Sequence, residues 1–171
     1  MQELKPFRMR KFECKPYQQD AIKLLAPPEE LKVSEWAEKY RMLDSMTSAE
    51  PGPWSNGRTP YLVEIMDALL DSDIEEIVFC KCTQVGGTEV ELNMLGYVIQ
   101  QDPSPVEVVY PTETMGGSVM DKRIKPMIRS TPSLFKKFDP DSSGYELDFT
   151  DMFIKVVWSN SPSGLASFAM K

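Results

Sequence analysis

Apolar positions recur with a helical spacing in some stretches of the chain and with a two-residue spacing in others, and these rhythms predict its elements. "PYQQDAIKLLAPPEE" (residues 16–30) reads as a short helix stopped by Pro27 and Pro28. In "KVSEWAEKYRML" (32–43) Ser34 suits an N-cap, and Trp36, Ala37 and Tyr40 fall near one helical face. Residues 44–60 are dense in Ser, Pro, Gly and Asn and predict a loop or strap, with Trp54 as its anchor to the core. "PYLVEIMDALLD" (60–71) restarts a helix with Pro60 in its first turn and Leu62, Ile65, Met66 and Leu69 as its apolar stripe.

"IEEIVFCKC" (74–82) then predicts a strand, and "GTEVELNMLGYVIQQD" (87–102) a helix closed by Pro103. "VEVVYPT" (106–112) is a second, Val-rich strand. The following segment predicts a helix from about Gly117 with a break near Pro126. "YELDFTDMFIKVVWSN" (145–160) alternates on both sides of Thr150-Asp151, as a β-hairpin does. Strand, helix, strand, helix with short connections predicts an α/β fold with a parallel sheet and right-handed crossovers. Ligands in such sheets sit beyond the carboxyl ends of the strands, which places the turn after Cys80 in a position to bind one.

Length and composition narrow the class. The chain has 171 residues, enough for one domain with a buried core, and 42% hydrophobic with 26% charged residues is ordinary for a globular protein. No run of 18 apolar residues occurs, so no transmembrane helix and no membrane partner are expected. The first 16 residues read as a mildly basic arm without the apolar core of a signal peptide. Cys14, Cys80 and Cys82 are too few and too irregular for a disulfide framework, and without histidine no ordinary zinc site is expected. The net charge of −7 argues against a stand-alone DNA-binding module. That charge is uneven. Residues 64–91 hold eight acids and only Lys81 as a base, whereas residues 119–137 hold six bases (Lys122, Arg123, Lys125, Arg129, Lys136, Lys137) against Asp121. A solvated helix face and a phosphate-facing surface both fit that basic run.

The turn "KCTQVGGTE" (81–89) carries the candidate chemistry. A phosphate loop follows G-x-x-x-x-G-K-[ST], with backbone N–H groups around the phosphates, a lysine on their oxygens and a hydroxyl on magnesium. Over this chain the pattern puts Lys81 in the first glycine slot, Gly86 in the second, Gly87 in the lysine slot and Thr88 in the hydroxyl slot. Lys81 is the sole base between Arg58 and Lys122, and its flexible stem can reach back across the loop. A purely structural Gly-Gly turn with Thr88 as N-cap fits the same residues.

In this setting the sequence resembles the N-terminal part of the large terminase subunit of tailed bacteriophages, of the lambda-like gpA type. The resemblance rests on "WAEKYRML", "GPWSNGRTPYLVEIMDALLDSDIEEIVFCKCTQVGGTE", "VVYPTETMGGSVMDKRIKPMIRSTPSL" and "IKVVWSNSPSGLAS", which come in the family's order over residues 33–167. It implies a RecA/ASCE-like P-loop NTPase sheet with flanking helices, incomplete here, over residues 61–171. A helical arm and strap would precede it over residues 1–60. The family's phosphate loops carry their basic residue at the start, which matches Lys81. The resemblance then implies ATP and Mg²⁺ as cofactors, Lys81 on the β/γ phosphates, Gln84, Val85, Gly86 and Gly87 as the cradle, and Thr88 on magnesium. Tyr61 would stand on the adenine side, and Lys122, Arg123 and Arg129 would face DNA or a neighbouring subunit.

The implied partners are the terminase small subunit, the portal and procapsid, double-stranded DNA and other copies of the chain, in the cytoplasm of an infected bacterium. The family's acidic strand ending in an Asp-Glu pair is expected after "SNSPSGLAS" and does not occur within these residues. The expectation is therefore a truncated ATPase part, from a gene fragment, a split frame or a decayed prophage copy. It would have no catalytic acid and negligible turnover. A different P-loop ATPase or helicase-like fragment and a non-catalytic binding module are the alternatives.

Overall fold

A computed structural model describes residues 29–46, 48–142 and 144–161. The arm and the helix expected before Pro28 lie outside them. The described chain is mixed α/β and begins with helix α1 (Val33–Tyr40). A small antiparallel pair follows, β1 (Met42–Leu43) with β2 (Gly52–Pro53). Ser34 is not the N-cap of α1. Lys32 holds that position, with its N–H donated to Glu35 Oε2 at 2.9 Å. Ser34 instead donates from its backbone and its hydroxyl to Asp67, both at 2.9 Å, which ties α1 to helix α2 (Val63–Asp67). The helix also ends earlier than "KYRML" suggested, because Met42 and Leu43 find ladder partners in the strap. Trp54 anchors that strap, 7% exposed, as expected.

Helix α3 (Gly87–Gln101) is apolar nearly all round and buries Val90, Leu92, Leu95, Tyr97 and Ile99, so it runs through the interior. The Trp36 indole of α1 packs directly on Gly96 of α3 and donates its Nε1–H to Gln100 at 3.0 Å. Strand β3 (Val106–Tyr110) follows α3 and pairs in parallel with β5 (Phe153–Trp158), from Val106 opposite Ile154 to Tyr110 opposite Trp158. Strand β4 (Glu146–Asp148) pairs antiparallel with β5, so the predicted hairpin forms. The sheet is a mixed one in the order β3–β5–β4, in which the parallel β3–β5 pair and the antiparallel hairpin share β5.

Helix α4 (Glu113–Val119) starts four residues before the expected Gly117, because Thr112 caps it by accepting from the Met115 N–H at 3.3 Å. Gly116 is tolerated there because it lets the helix approach the sheet. A Cβ at that position would lie 3.1 Å from a Val156 methyl. A π-helical turn (Met120–Ile124) joins α4 to α5 (Lys125–Ser130), and Pro126 sits in the first turn of α5. The break expected near Pro126 is thus a wide turn just before it, consistent with proline withholding an N–H from the preceding carbonyls. A short helix α6 (Pro132–Phe135) completes the helical set.

The strand expected over residues 74–82 does not form. Residues 77–82 have no ladder partner among the described residues, and Val78 is 79% exposed. An open apolar groove of about 760 Å³ is lined by Ile77 and Phe79 on one side and by β3 on the other. A strand needs a paired neighbour to satisfy its backbone, and the outer edge of β3 is kept from this segment by that groove.

Candidate functional site

The turn between residue 82 and helix α3 has an unusual backbone. Gln84 has φ +62° and Gly86 has φ +82°, both left-handed. Gly86 is required twice over, since a Cβ there would also lie 2.9 Å from Leu62 Cδ1. For Gln84 the left-handed region carries a penalty of about 1–2 kcal/mol. Gly86 caps α3, and Val90 N–H closes the first helical bond on Gly86 O at 3.0 Å. Thr88 therefore stands inside the first turn and does not serve as the N-cap.

The first-turn N–H groups of α3 have no carbonyl inside the helix to bond, and they carry the positive end of its dipole. Against that end lies Lys81. A Cβ built on Gly87 would fall 2.1 Å from Lys81 Cε, 2.4 Å from Cδ and 3.1 Å from Nζ. The lysine stem thus crosses the loop and occupies the space that a side chain at position 87 would take. An ammonium group beside a helix N-terminus is repelled by it, by about 0.3–1 kcal/mol. The pair becomes favourable when an anion sits between them, which makes the turn a ready anion site.

A second cavity of about 760 Å³ opens beside the turn, lined by Trp54, Arg58 and Tyr61 of the strap side and by Gln84, Gly86 and Glu89. Tyr61 is 56% exposed and so does not pack in the core. Its hydroxyl donates to Val85 O at 3.3 Å and fixes the strap to the loop. Arg58 pairs with Glu50 at 3.1 Å on the wall of this cavity. Thr59 Oγ1, on a residue lining the same cavity, is buried and has no hydrogen-bond partner among the described residues.

Glu89 is a functional candidate that the residue pattern did not single out. Its carboxylate takes Arg41 Nη2 at 3.2 Å on one oxygen and Arg123 Nη1 at 3.5 Å on the other. Arg41 is only 3% exposed and also donates to Met42 O. Burial lowers its pKa, and the charge of Glu89 and its hydrogen bond work against that shift. The guanidinium stays charged because its intrinsic pKa is so high. Of the basic residues, Arg123 reaches the loop's first helical turn through Glu89. Lys122 and Arg129 are exposed and line neither cavity. Lys125 pairs with Asp121 at 2.7 Å and Lys137 with Asp151 at 3.5 Å. Cys80 and Cys82 are exposed free thiols, and among the described residues no cluster of three metal-ligating side chains occurs.

Comparison with known proteins decides the family. The profile of the phage terminase large subunit gpA, ATPase domain, matches residues 48–171. The chain belongs to this family. It is 27% identical over 109 residues to the terminase large subunit of Enterobacteria phage P21, which is 64% of this chain and 17% of that protein. It is 26% identical over 113 residues to the terminase large subunit of Escherichia phage lambda, 66% of this chain and 17% of the relative. The chain therefore spans about 17% of the length of the curated terminase subunits it matches. No solved structure matches it significantly. The family match covers the strap from residue 48 onward, the turn at residues 81–89, α3 and the whole β3–β5–β4 sheet.

Proposed function

We propose that residues 81–88 bind the triphosphate of Mg-ATP, and that the chain is the ATP-binding part of a terminase motor that moves double-stranded DNA into a procapsid. One observation carries this reading: the Lys81 stem lies over Gly87, so that an ammonium and a helix N-terminus without a side-chain cap converge in a gpA-type ATPase sequence.

The residues fit the group. Lys81 would hold the β/γ oxygens, and the backbone of Gln84, Val85, Gly86 and Gly87 would wrap the phosphates. The left-handed turns at Gln84 and Gly86 support that role, since such turns point successive N–H groups into one concavity. Thr88, free of capping duty, would ligate Mg²⁺, whose charge would offset that of the phosphates. The cavity bordered by Tyr61 and the strap would take the adenine side. Residues 61–171 would form the ATPase part behind an arm and strap at 1–60, and residues 77–82 would enter a larger RecA-like parallel sheet. Lys122, Arg123 and Arg129 would face DNA or a neighbouring copy. The chain's partners would be a terminase small subunit and a portal in the host cytoplasm, a reading supported by the similarity to terminase large subunits.

Turnover by these residues alone would be negligible. Phosphoryl transfer needs a group that orients the attacking water. The carboxylate nearest the loop in sequence, Glu89, is already engaged by two arginines. Calorimetric titration with Mg-ATP tests the reading. Saturable binding that Lys81→Ala weakens at least tenfold supports it, a loss of about 1.4 kcal/mol. Affinity unchanged by Lys81→Ala, or no binding, contradicts it.

A further inference from the structure

A second carboxylate stands beside the turn at residues 81–88, and it is not held by an arginine. Glu91 lies four residues after Gly87 on α3, and both line the open apolar groove together with Tyr110 of β3. Residues four apart on a helix are neighbours, with about 5–6 Å between their Cβ atoms. A helical side chain also leans back over the turn that precedes it, so a side chain at 91 is directed toward position 87. That is where the Lys81 stem runs, since a Cβ built on Gly87 would lie 3.1 Å from Lys81 Nζ. A carboxylate and an ammonium thus share one face of α3, about a side chain's length apart.

They form no ion pair. Among the described residues Lys81 has none, and Glu91 Oε1 instead accepts the Tyr110 hydroxyl at 2.7 Å. An O–H donor on an ionised carboxylate at that length is a strong, charge-assisted bond. Tyr110 is itself fixed at the end of β3. It stands opposite Trp158 in the ladder, its carbonyl accepts Ser159 N–H at 2.9 Å, and its side chain lies against Gly116 of α4. Burial, the bond to Glu91 and the carboxylate charge keep the phenol protonated well above neutral pH, so it remains a donor there.

We infer that Tyr110 is a positioning residue, which holds Glu91 away from Lys81 and so keeps the ammonium open to a phosphate. The inference rests on the phosphate reading of residues 81–88. Without the phenol the carboxylate loses that donor, and the cation next to it on the same helix face is Lys81. A Lys81–Glu91 pair would place the protein's own anion beside the α3 N-terminus, and a nucleotide would have to displace it. Such a partly exposed pair contributes little by itself, which sets the size of the effect at a few-fold in affinity.

Calorimetric titration of the 171-residue chain with Mg-ATP tests this in a cycle of Tyr110→Phe, Glu91→Gln and the double variant, with Lys81→Ala as reference. Tyr110→Phe is expected to weaken binding about threefold to fivefold, which corresponds to about 0.7–1 kcal/mol. Glu91→Gln is expected to bind at least as tightly as the parent, and the double variant to bind as Glu91→Gln does. A tyrosine that only supports the fold would weaken binding by the same factor in both backgrounds, and that result overturns the inference. So does Tyr110→Phe binding like the parent, or Glu91→Gln binding more weakly than the parent, a comparison that needs no change at Tyr110. These results leave the phosphate reading standing if Lys81→Ala still weakens Mg-ATP. No binding to the parent chain, or affinity unchanged by Lys81→Ala, overturns the phosphate reading and the inference with it.

Discussion

Gly87 stands where a phosphate loop ordinarily carries its lysine, and the stem of Lys81 fills the room that its missing side chain leaves. The two positions are sterically linked, so even a methyl group at 87 has to displace the lysine. Lys81 is exposed and flexible, which lets it move at little cost to the fold. Gly87→Ala is therefore expected to leave the melting temperature within a degree or two, as surface changes do, yet weaken Mg-ATP binding about tenfold. Fluorescence titration with an ATP analogue beside a thermal melt separates the two effects. Sequence pattern alone could suggest Lys81, because a lone base in an acidic stretch at the mouth of a Gly-Gly turn is conspicuous. It could not show Glu89 in the same way. Its significance depends on Arg41 being buried, and an arginine at a helix end gives no hint of burial. Glu89→Gln is expected to destabilise the protein by about 3–5 kcal/mol by stranding that guanidinium, readable as a lower urea midpoint.

Among the elements, the central helix α3 was legible from its apolar run, and so were β3 and the β4–β5 hairpin from their alternation. The strand over residues 74–82 was not, although its pattern is as apolar. Alternation reports that a segment can be buried, and pairing depends on a neighbour that the local pattern does not name. The contact between α1 and α3 shows the reverse case, a feature invisible to pattern. Gly96 reads as a weak point in a helix, where alanine usually stabilises. Here a Cβ would lie 2.2 Å from the buried Trp36 ring, so Gly96→Ala is expected to destabilise by about 1–3 kcal/mol in a denaturant titration. At the end of β3, the Tyr110 hydroxyl donates to Glu91 of α3 at 2.7 Å. Burial first, then that bond and the carboxylate charge, push the phenol well above its ordinary value of 10.0. The folded state thus keeps its proton where the unfolded chain loses it. The stability this contributes is complete below pH 10 and is lost as pH rises toward the folded value. Melts between pH 8 and about 11 are expected to fall more steeply for the parent than for Tyr110→Phe.

At the scale of the whole molecule, one cluster of buried side chains joins α1, the strap, α3, the helical turns of α4 to α6 and the sheet. Among the described residues nothing covers the outer edge of β3 or the segment facing it, with Val78 at 79% and Val109 at 49% exposure, and Leu70 nearby is 42% exposed. Contiguous apolar surface beside an unpaired strand edge favours association. The chain is expected to self-associate as its concentration rises, and Val78→Lys to reduce that tendency in sedimentation. The net charge of −7 is likewise a property of the whole, and it says little about the loop, where a lysine and a helix N-terminus make a local positive site.

That local site is the centre of the account, and lysine labelling tests it most directly. The folded chain is treated with pyridoxal phosphate, reduced with borohydride and mapped by peptide mass spectrometry, with and without Mg-ATP. Labelling of Lys81 that Mg-ATP suppresses, while Lys122 and Lys136 label equally in both samples, is the predicted result. Lys81 labelling that is indifferent to Mg-ATP would contradict a nucleotide site at this turn.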